Sequence, residues 1–185
     1  MNSYRIALIP GDGVGIEISD EAEKVLDAAA DIFGFEVATE SFDWSCDRYL
    51  ATGEMMPENA LETLSAFDSI FLGCIGDANK VEDHISLQML LAIRKGFDQY
   101  VNLRPIKLYH ESMCPLKGKM PKDIDILFCR ENTEDAYAGI HGTTKKGSEH
   151  EISLQQMVYT RRGTERIIRY AFELAQKRGP KPGKD

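Results

Sequence analysis

The sequence predicts an α/β fold built on a mostly parallel sheet. Short apolar runs of strand length alternate with segments whose apolar residues recur at helical spacing. A glycine-rich turn also separates the first apolar run from the first such helical segment. Strands that alternate with helices need crossover connections, which place helices on both faces of a parallel sheet.

The first half of the chain begins with a short apolar run over residues 4–10, which is typical of a buried parallel strand. Apolar residues between 15 and 33 then recur at helical spacing, and Gly34 supplies a helix end. The remaining elements predicted here are a strand over 35–42, a helix from Pro57 to about residue 67, and a strand over 69–73.

The second half is predicted to begin with a helix over 85–95. It continues with strands over 100–109 and 124–130, a Pro/Gly/Lys-rich connection over 111–122, a polar loop over 141–149, an exposed or intersubunit strand over 151–160, and an amphipathic helix over 161–178. We expect domains over 1–99 and 100–178, and a frayed tail over 179–185.

Composition excludes several classes of protein. A net charge of -8 argues against a general nucleic-acid binder, which needs a basic face. No apolar run approaches the ~20 residues of a membrane-spanning helix, so no membrane partner is expected. The chain start lacks the apolar region of a signal peptide. We therefore expect a cytoplasmic protein, or an organellar one whose targeting segment has been removed. The four cysteines and four histidines show no metal-ligand spacing.

Three arginines lie on predicted regular elements: Arg94 on a helix, and Arg104 and Arg130 on strands. A guanidinium presents paired donors that match a carboxylate or a phosphate. Any one of these residues alone is better explained by a surface ion pair. Together they predict a cradle for a small, multiply charged anion.

The glycine-rich turn Ile9-Pro-Gly-Asp-Gly-Val-Gly-Ile16 lies between a strand and a helix, as a dinucleotide-binding fingerprint does. The strict fingerprint needs a small residue where Ile16 stands. Asp12 would also repel a pyrophosphate at the helix N-terminus. The segment alone leaves two interpretations open: a weak dinucleotide site, or a tight turn that needs positive φ angles.

The same turn, extended to Glu17, resembles the start of the isocitrate and isopropylmalate dehydrogenase family, the β-decarboxylating hydroxyacid dehydrogenases. Asn102-Leu-Arg-Pro105 and Arg130-Glu-Asn-Thr-Glu134 match that family in the same order. Other segments resemble its tartrate and D-malate dehydrogenase branch: Asp43-Trp-Ser-Cys-Asp-Arg-Tyr-Leu50, Gly53-Glu-Met-Met-Pro57, Asp83-His-Ile-Ser-Leu87, Phe97-Asp-Gln-Tyr-Val-Asn-Leu-Arg-Pro105 and Tyr159-Thr-Arg-Arg-Gly163. The resemblance covers about residues 4–178 and implies an isopropylmalate-dehydrogenase-like fold, not a true Rossmann fold.

The resemblance also implies roles for particular residues. Arg94, Arg104 and Arg130 would bind the substrate carboxylates and hydroxyl. Tyr137 would be the general acid that protonates the enolate. Residues 141–160 would form the arm of a homodimer. The nicotinamide end of NAD would be lined by Gly13, Ile16, Gly73, Ile75 and Leu87.

Two departures from the family qualify these expectations. Ile85-Ser-Leu-Gln-Met-Leu-Leu91 lacks the Trp of the branch, which leaves substrate choice and nicotinamide placement open. Family members are also longer, and their catalytic Lys, metal-binding Asp residues and adenosine loop lie in the later half. We therefore expect an incomplete fold, and an NAD-dependent, Mg²⁺- or Mn²⁺-requiring dehydrogenase whose N-terminal portion is inactive alone. The alternative is a short, non-catalytic product that binds an anionic metabolite or pairs with full-length subunits.

Three acidic residues follow Arg130 closely: Glu131, Glu134 and Asp135. Their clustering favours solvated or turn residues over metal ligands. The metal of the expected reaction would polarise the ketone formed by oxidation, and its ligands are expected from the later half of the family's length.

Overall fold

The computed structural model describes residues 2–179, and these residues divide into two compact units between Phe97 and Asp98. Apart from Gly179, the tail predicted over 179–185 lies outside the described residues. Within residues 2–179, no helix is both long and apolar enough to cross a bilayer.

The first unit is built on a three-stranded parallel sheet in the order β2-β1-β3. The strands are β1 (Ser3–Gly11), β2 (Glu36–Ser41) and β3 (Ser69–Cys74). The central position of β1 agrees with its apolar sequence, because helices packed on the faces of a parallel sheet bury its central strand most. The predicted parallel sheet is confirmed in this unit.

Four helices accompany this sheet: α1 (Val14–Phe33), α2 (Cys46–Thr52), α3 (Ala60–Ser65) and α4 (Asp83–Gly96). As predicted, α1 ends at Gly34, which adopts the left-handed conformation at φ 71°. The prediction missed α2, and it made α3 too long at both ends. The sequence around α2 is too short for a clear helical period.

The core of the first unit lies between the sheet and helices α2–α4. Ala7 and Ile9 of β1 are fully buried there, packed with Trp44, Leu64 and Ile93. The intervening residues of β1 face α1, as the period of a strand requires. On that side the cover is partial, and a groove of about 520 Å³ lies beside α1. It is lined chiefly by the apolar side chains of Ile6, Leu8, Ile18, Val25 and Phe71.

The second unit contains two antiparallel strand pairs and one long helix. The pairs are β4 (Val101–Lys107) with β5 (Asp125–Glu131), and β6 (His141–Thr144) with β7 (Ile152–Gln155). Helix α5 (Arg161–Arg178) packs against β5. The connection from β4 to β5 contains only single 3-10 turns, and without a crossover helix the strands pair antiparallel.

Two predictions for the second unit were wrong in detail. The segment expected to be a polar loop over 141–149 begins with β6, and the strand expected over 151–160 is shorter. Both β6 and β7 are exposed along their whole length. The sequence of β6, His-Gly-Thr-Thr, has no alternating apolar side chains, so this strand left little signal, whereas β7 alternates through Ile152 and Leu154.

Candidate active site

Arg104 and Arg130 lie on the same face of the β4–β5 ribbon. Arg130 pairs with Asn102, and Arg104 lies two residues further along β4 on that face. Diagonal neighbours of this kind lie roughly 7–8 Å apart at Cα. Nε of Arg104 donates a hydrogen bond to Oδ1 of Asn102 at 3.3 Å. The pairing register therefore brings these two predicted guanidiniums to one surface.

Tyr137 lies beside Arg130. It occupies a single 3-10 turn, Ala136–Ala138, and is half-buried. Nη2 of Arg130 donates a hydrogen bond to the phenol oxygen of Tyr137 at 2.8 Å. The Arg130 guanidinium also lies 5.3 Å from the centroid of the tyrosine ring. The structure thus joins two of the residues singled out in the sequence.

A cavity of about 330 Å³ opens at this pair. It is wide enough for a small organic acid and carries both charged and hydroxyl groups. Its lining is Arg130, Glu131, Glu134, Asp135, Tyr137, Tyr159, Thr164 and Ile167.

The carboxylate of Glu131 holds the turn that follows β5. It accepts hydrogen bonds from the backbone N–H groups of Thr133 and Glu134, and from the Thr133 hydroxyl. Burial by itself would raise the pKa of Glu131, but these hydrogen bonds outweigh burial and lower that pKa. Of the two interpretations offered by the sequence, a solvated residue or a turn residue, Glu131 is a turn residue, because the turn folds its backbone donors onto the carboxylate.

Glu134 and Asp135 bind the chain where it enters α5. Glu134 accepts hydrogen bonds from the backbone N–H and the hydroxyl of Thr160. Asp135 accepts one from the hydroxyl of Tyr159 at 2.7 Å, and this bond raises the pKa of Tyr159. Asp135 also adopts a φ of 63°, which is uncommon for a residue other than glycine. These two carboxylates were correctly read as belonging to a turn, but they are not simply solvated.

Arg166 of α5 is a residue that the sequence did not single out. Its guanidinium donates to both carboxylate oxygens of Asp98 at 2.9 Å and to the hydroxyl of Thr133 at 2.8 Å. It also lies 4.4 Å from the ring centroid of Tyr100. Arg166 therefore connects the residues just before β4 to the residues just after β5. These two strands carry Arg104 and Arg130.

The predicted cofactor residues lie in the first unit, at the carboxyl ends of β1 and β3. Gly11 and Gly13 have φ angles of 75° and 55°, as the tight-turn interpretation requires. Gly13 and Ile16 are exposed, and a Cβ added at Gly13 would meet no atom within 4 Å. Gly73 is closely packed instead, since its Cβ would lie 2.3 Å from the Pro10 carbonyl oxygen.

Of the other predicted residues of the first unit, one follows β3 and two lie on α4. Ile75 directly follows β3 and is partly buried, whereas Leu87 of α4 is 40% exposed. The space over Gly13 is open, and the apolar side chain of Ile16 is 53% exposed. Arg94 lies in the last turn of α4 and is partly buried.

A divalent metal does not fit the described part of the chain. Among residues 2–179, no group of three or more His, Cys, Asp or Glu side chains could hold such an ion. The carboxylates nearest Tyr137 are engaged with backbone and hydroxyl donors. No step below is therefore assigned to a metal.

A family model described as isocitrate/isopropylmalate dehydrogenase matches residues 5–183. The chain belongs to this family. D-malate dehydrogenase [decarboxylating] of Escherichia coli (strain K12) is 51% identical over 180 residues, covering 96% of the chain and 50% of the relative. Tartrate dehydrogenase/decarboxylase of Pseudomonas putida is 46% identical over 179 residues, covering 96% and 49%.

Comparison with solved structures also finds the fold of the isocitrate/isopropylmalate dehydrogenase family. Isocitrate dehydrogenase from Methylococcus capsulatus matches with a TM-score of 0.78 and 29% identity, over 94% of this chain and 48% of that one. The chain thus spans about half the length of the curated relatives it matches. The family supports a decarboxylating hydroxyacid dehydrogenase. The predicted fold and the predicted family are confirmed.

Proposed function

We propose that this chain contributes the acid-binding part of an NAD-dependent oxidative decarboxylase, with D-malate or tartrate as substrate. The observation that carries the proposal is the hydrogen bond from Arg130 to Tyr137, with Arg104 on the same face of the ribbon. The identity of 51% to a D-malate dehydrogenase supports this choice of acid. The chain is also 44% identical to a 3-isopropylmalate dehydrogenase of Thermobifida fusca. Isopropylmalate is therefore a substrate to compare with D-malate and tartrate.

In this proposal Arg104 and Arg130 bind a carboxylate of the acid. Their paired N–H donors match the two oxygens of a carboxylate and fix its orientation as well as its charge. Arg94 is proposed as a third donor to the same substrate. Holding the acid in one orientation lowers the entropic cost of reaching the transition state.

Tyr137 is proposed to donate its phenol proton to the enolate carbon left when carbon dioxide departs. The negative charge then developing on the phenol oxygen would lie against the Arg130 guanidinium, which already donates to that oxygen. A proton from solvent would restore the phenol. Arg130 would thus serve both to hold the acid and to stabilise the deprotonated tyrosine.

NAD, when bound, would accept the hydride from the hydroxyl-bearing carbon. Gly13, Ile16, Gly73, Ile75 and Leu87 are proposed to line its nicotinamide end. The requirement for Mg²⁺ or Mn²⁺ also belongs to this proposal, with ligands from the part of the family's length that this chain does not span.

The test is NADH formation with D-malate, tartrate, isocitrate or isopropylmalate, in the presence of Mg²⁺ or Mn²⁺. It should be run on the 185-residue chain and on this chain joined to the second half of the Escherichia coli relative. We expect turnover of D-malate or tartrate by the joined protein. Turnover of none of the four acids, by a joined protein that unfolds cooperatively, would contradict the substrate class.

The alternative is a protein that binds an anionic metabolite without reacting it, or that pairs with full-length subunits. Calorimetric titration of the 185-residue chain with D-malate discriminates between the two. Binding by this chain with no NADH formation by the joined protein supports the alternative, whereas turnover by the joined protein eliminates it.

A homodimer through residues 141–160 is also proposed. The β6–β7 pair is exposed throughout, and Ile152 and Leu154 are 59% and 63% exposed. Apolar side chains at this exposure on a two-stranded pair suit burial against a second copy. Light scattering of the unsubstituted chain and of Leu154→Asp tests this proposal, with a monomer expected for the variant. The expected cytoplasmic location stays a prediction.

A further inference from the structure

Asp12, in the glycine-rich turn, is a buried carboxylate that faces inward. Only 4% of its surface is exposed. Oδ1 accepts a hydrogen bond from the backbone N–H of Cys46 at 2.9 Å, and Oδ2 accepts one from the N–H of Gly76 at 2.9 Å. The sequence suggested that this charge would repel a pyrophosphate, but the structure directs it away from the open side of the turn.

Asp12 binds the chain on both sides of Ile75. Its own backbone N–H donates to the carbonyl oxygen of Cys74 at 2.7 Å, while its side chain accepts from Gly76. The peptide groups before and after Ile75 are thus both bonded to one residue. This arrangement fixes the direction in which Ile75 leaves the end of β3.

The glycines of the turn bring the two segments into backbone contact. A Cβ added at Gly15 would lie 2.6 Å from the Cys74 nitrogen, and one added at Gly11 would lie 2.0 Å from the Cys74 oxygen. No side chain can lie between the turn and the end of β3. The carboxylate of Asp12 extends this contact by two residues, to Gly76, and also reaches the first residue of α2.

A carboxylate buried to this degree is stable only while its oxygens accept hydrogen bonds. A neutral amide of the same size has one acceptor oxygen, and its NH₂ group would face one of the two backbone N–H groups. The geometry therefore depends on the charge and the two equivalent oxygens of Asp12, and not on the volume of its side chain.

We propose that Asp12 is a positioning residue for the nicotinamide end of the cofactor site, because it holds Ile75 and Gly13 in a fixed relation. This inference rests on the proposed function, since those two residues are among the proposed cofactor contacts. Asp12 touches no cofactor atom in this account. It acts through the backbone of residues 74–76.

The variant Asp12→Asn tests the proposal, with Ser45→Ala as the matched control. Ser45 caps α2 by accepting from the Arg48 N–H at 3.3 Å, so its loss weakens the same helix without touching residues 74–76. In the joined protein, which also carries the adenosine loop of the family's later half, we expect the NADH dissociation constant of Asp12→Asn to rise about tenfold or more, because misplaced contact groups lose binding free energy. Ser45→Ala should bind NADH as the unsubstituted joined protein does. D-malate binding, titrated on the same samples, should not change in Asp12→Asn.

Amide hydrogen exchange gives a second measurement, which does not depend on the variant folding. Gly76 is exposed, so its N–H should exchange quickly unless it is bonded to Asp12. We expect slow exchange at Gly76 in the unsubstituted chain. In Asp12→Asn we expect roughly tenfold faster exchange or more, since a hydrogen bond to a charged group is lost.

The possible failures can be told apart. Fast exchange at Gly76 in the unsubstituted chain would overturn the inference, as would equal NADH affinity of Asp12→Asn and the unsubstituted chain. Equal weakening by Ser45→Ala would also overturn it, because the loss would then come from α2. If the unsubstituted joined protein bound no NADH while Gly76 exchanged slowly, the proposed cofactor site would be contradicted, and the positioning role with it, but not the bonding of Asp12.

Discussion

The guanidinium of Arg130 donates a hydrogen bond to the phenol oxygen of Tyr137 at 2.8 Å. The two residues come from different elements, strand β5 and a 3-10 turn, and the carboxylate of Glu131 holds the turn between them. A cation held at the oxygen of a tyrosine can stabilise negative charge that develops there during a reaction. This relationship is the basis of the first two predictions.

Tyr137→Phe should lower turnover by the joined protein about 10²–10⁴-fold, because the ring stays but the proton donor is lost. The KM for D-malate should change little, since the arginines are intact. Steady-state NADH formation measures both quantities. Tyr109→Phe is the control, because Tyr109 is 76% exposed and does not line the cavity at Arg130. An unchanged kcat in Tyr137→Phe would remove the phenol from the proposed chemistry.

Arg130→Lys should weaken D-malate binding about tenfold or more, because a lysine keeps the charge but loses the planar pair of donors. Calorimetric titration of the 185-residue chain measures this. The matched control is Arg169→Lys, since Arg169 pairs with Glu165 on the exposed side of α5. If both variants bound D-malate as the unsubstituted chain does, Arg130 would not be a substrate ligand.

Periodicity and turn chemistry predicted the elements whose burial follows a regular pattern. Helix α1 and its end at Gly34 are examples, because residues adjacent in the sequence determine both. Helix α2 was missed since part of what holds its first turn is Asp12, which lies 34 residues earlier in the chain. Such a contact leaves no trace in the residues of the helix itself.

The candidate site likewise combines residues that the sequence identified with contacts between distant residues that it did not. Arg104 and Arg130 were identified from their residue type and from motifs, and strand register then places them on one face. The hydrogen bonds that Thr160 donates to Glu134, 26 residues earlier, depend on how the chain returns to α5. Arg166 was missed for the same reason, because its partners Asp98 and Thr133 are distant in sequence. Long-range hydrogen bonds therefore hold part of the site, beside local ones such as those of Glu131.

Acid should destabilise the chain through Glu131, whose pKa is lowered by hydrogen bonds that outweigh its burial. A carboxylate with a folded pKa below the unfolded value of 4.5 contributes its stability above pH 4.5, and that stability is lost as pH falls through the folded pKa. Urea unfolding between pH 7 and pH 3 measures this, at roughly 1–3 kcal/mol for the group.

Glu131→Gln should be less stable than the unsubstituted chain at pH 7, and the two curves should converge as the pH falls. Glu149→Gln is the control, because the side chain of Glu149 is 86% exposed and pairs only with neighbouring His150 among the described ion pairs. A constant difference between Glu131→Gln and the unsubstituted chain at every pH would show that the charge of Glu131 is not what stabilises the turn.

Gly163→Ala should destabilise the chain, although alanine is normally favoured over glycine in a helix by about 1 kcal/mol. A Cβ at Gly163 would lie 2.2 Å from Cδ of Glu134, whose carboxylate accepts from Thr160. Moving that carboxylate breaks hydrogen bonds, so we expect a loss of about 1–3 kcal/mol in the free energy of unfolding, measured by urea titration. With Glu134→Ala already present, the same change should be neutral or stabilising, because the space is then empty. A Gly163→Ala chain more stable than the unsubstituted one would mean that Glu134 is not held against α5 in solution.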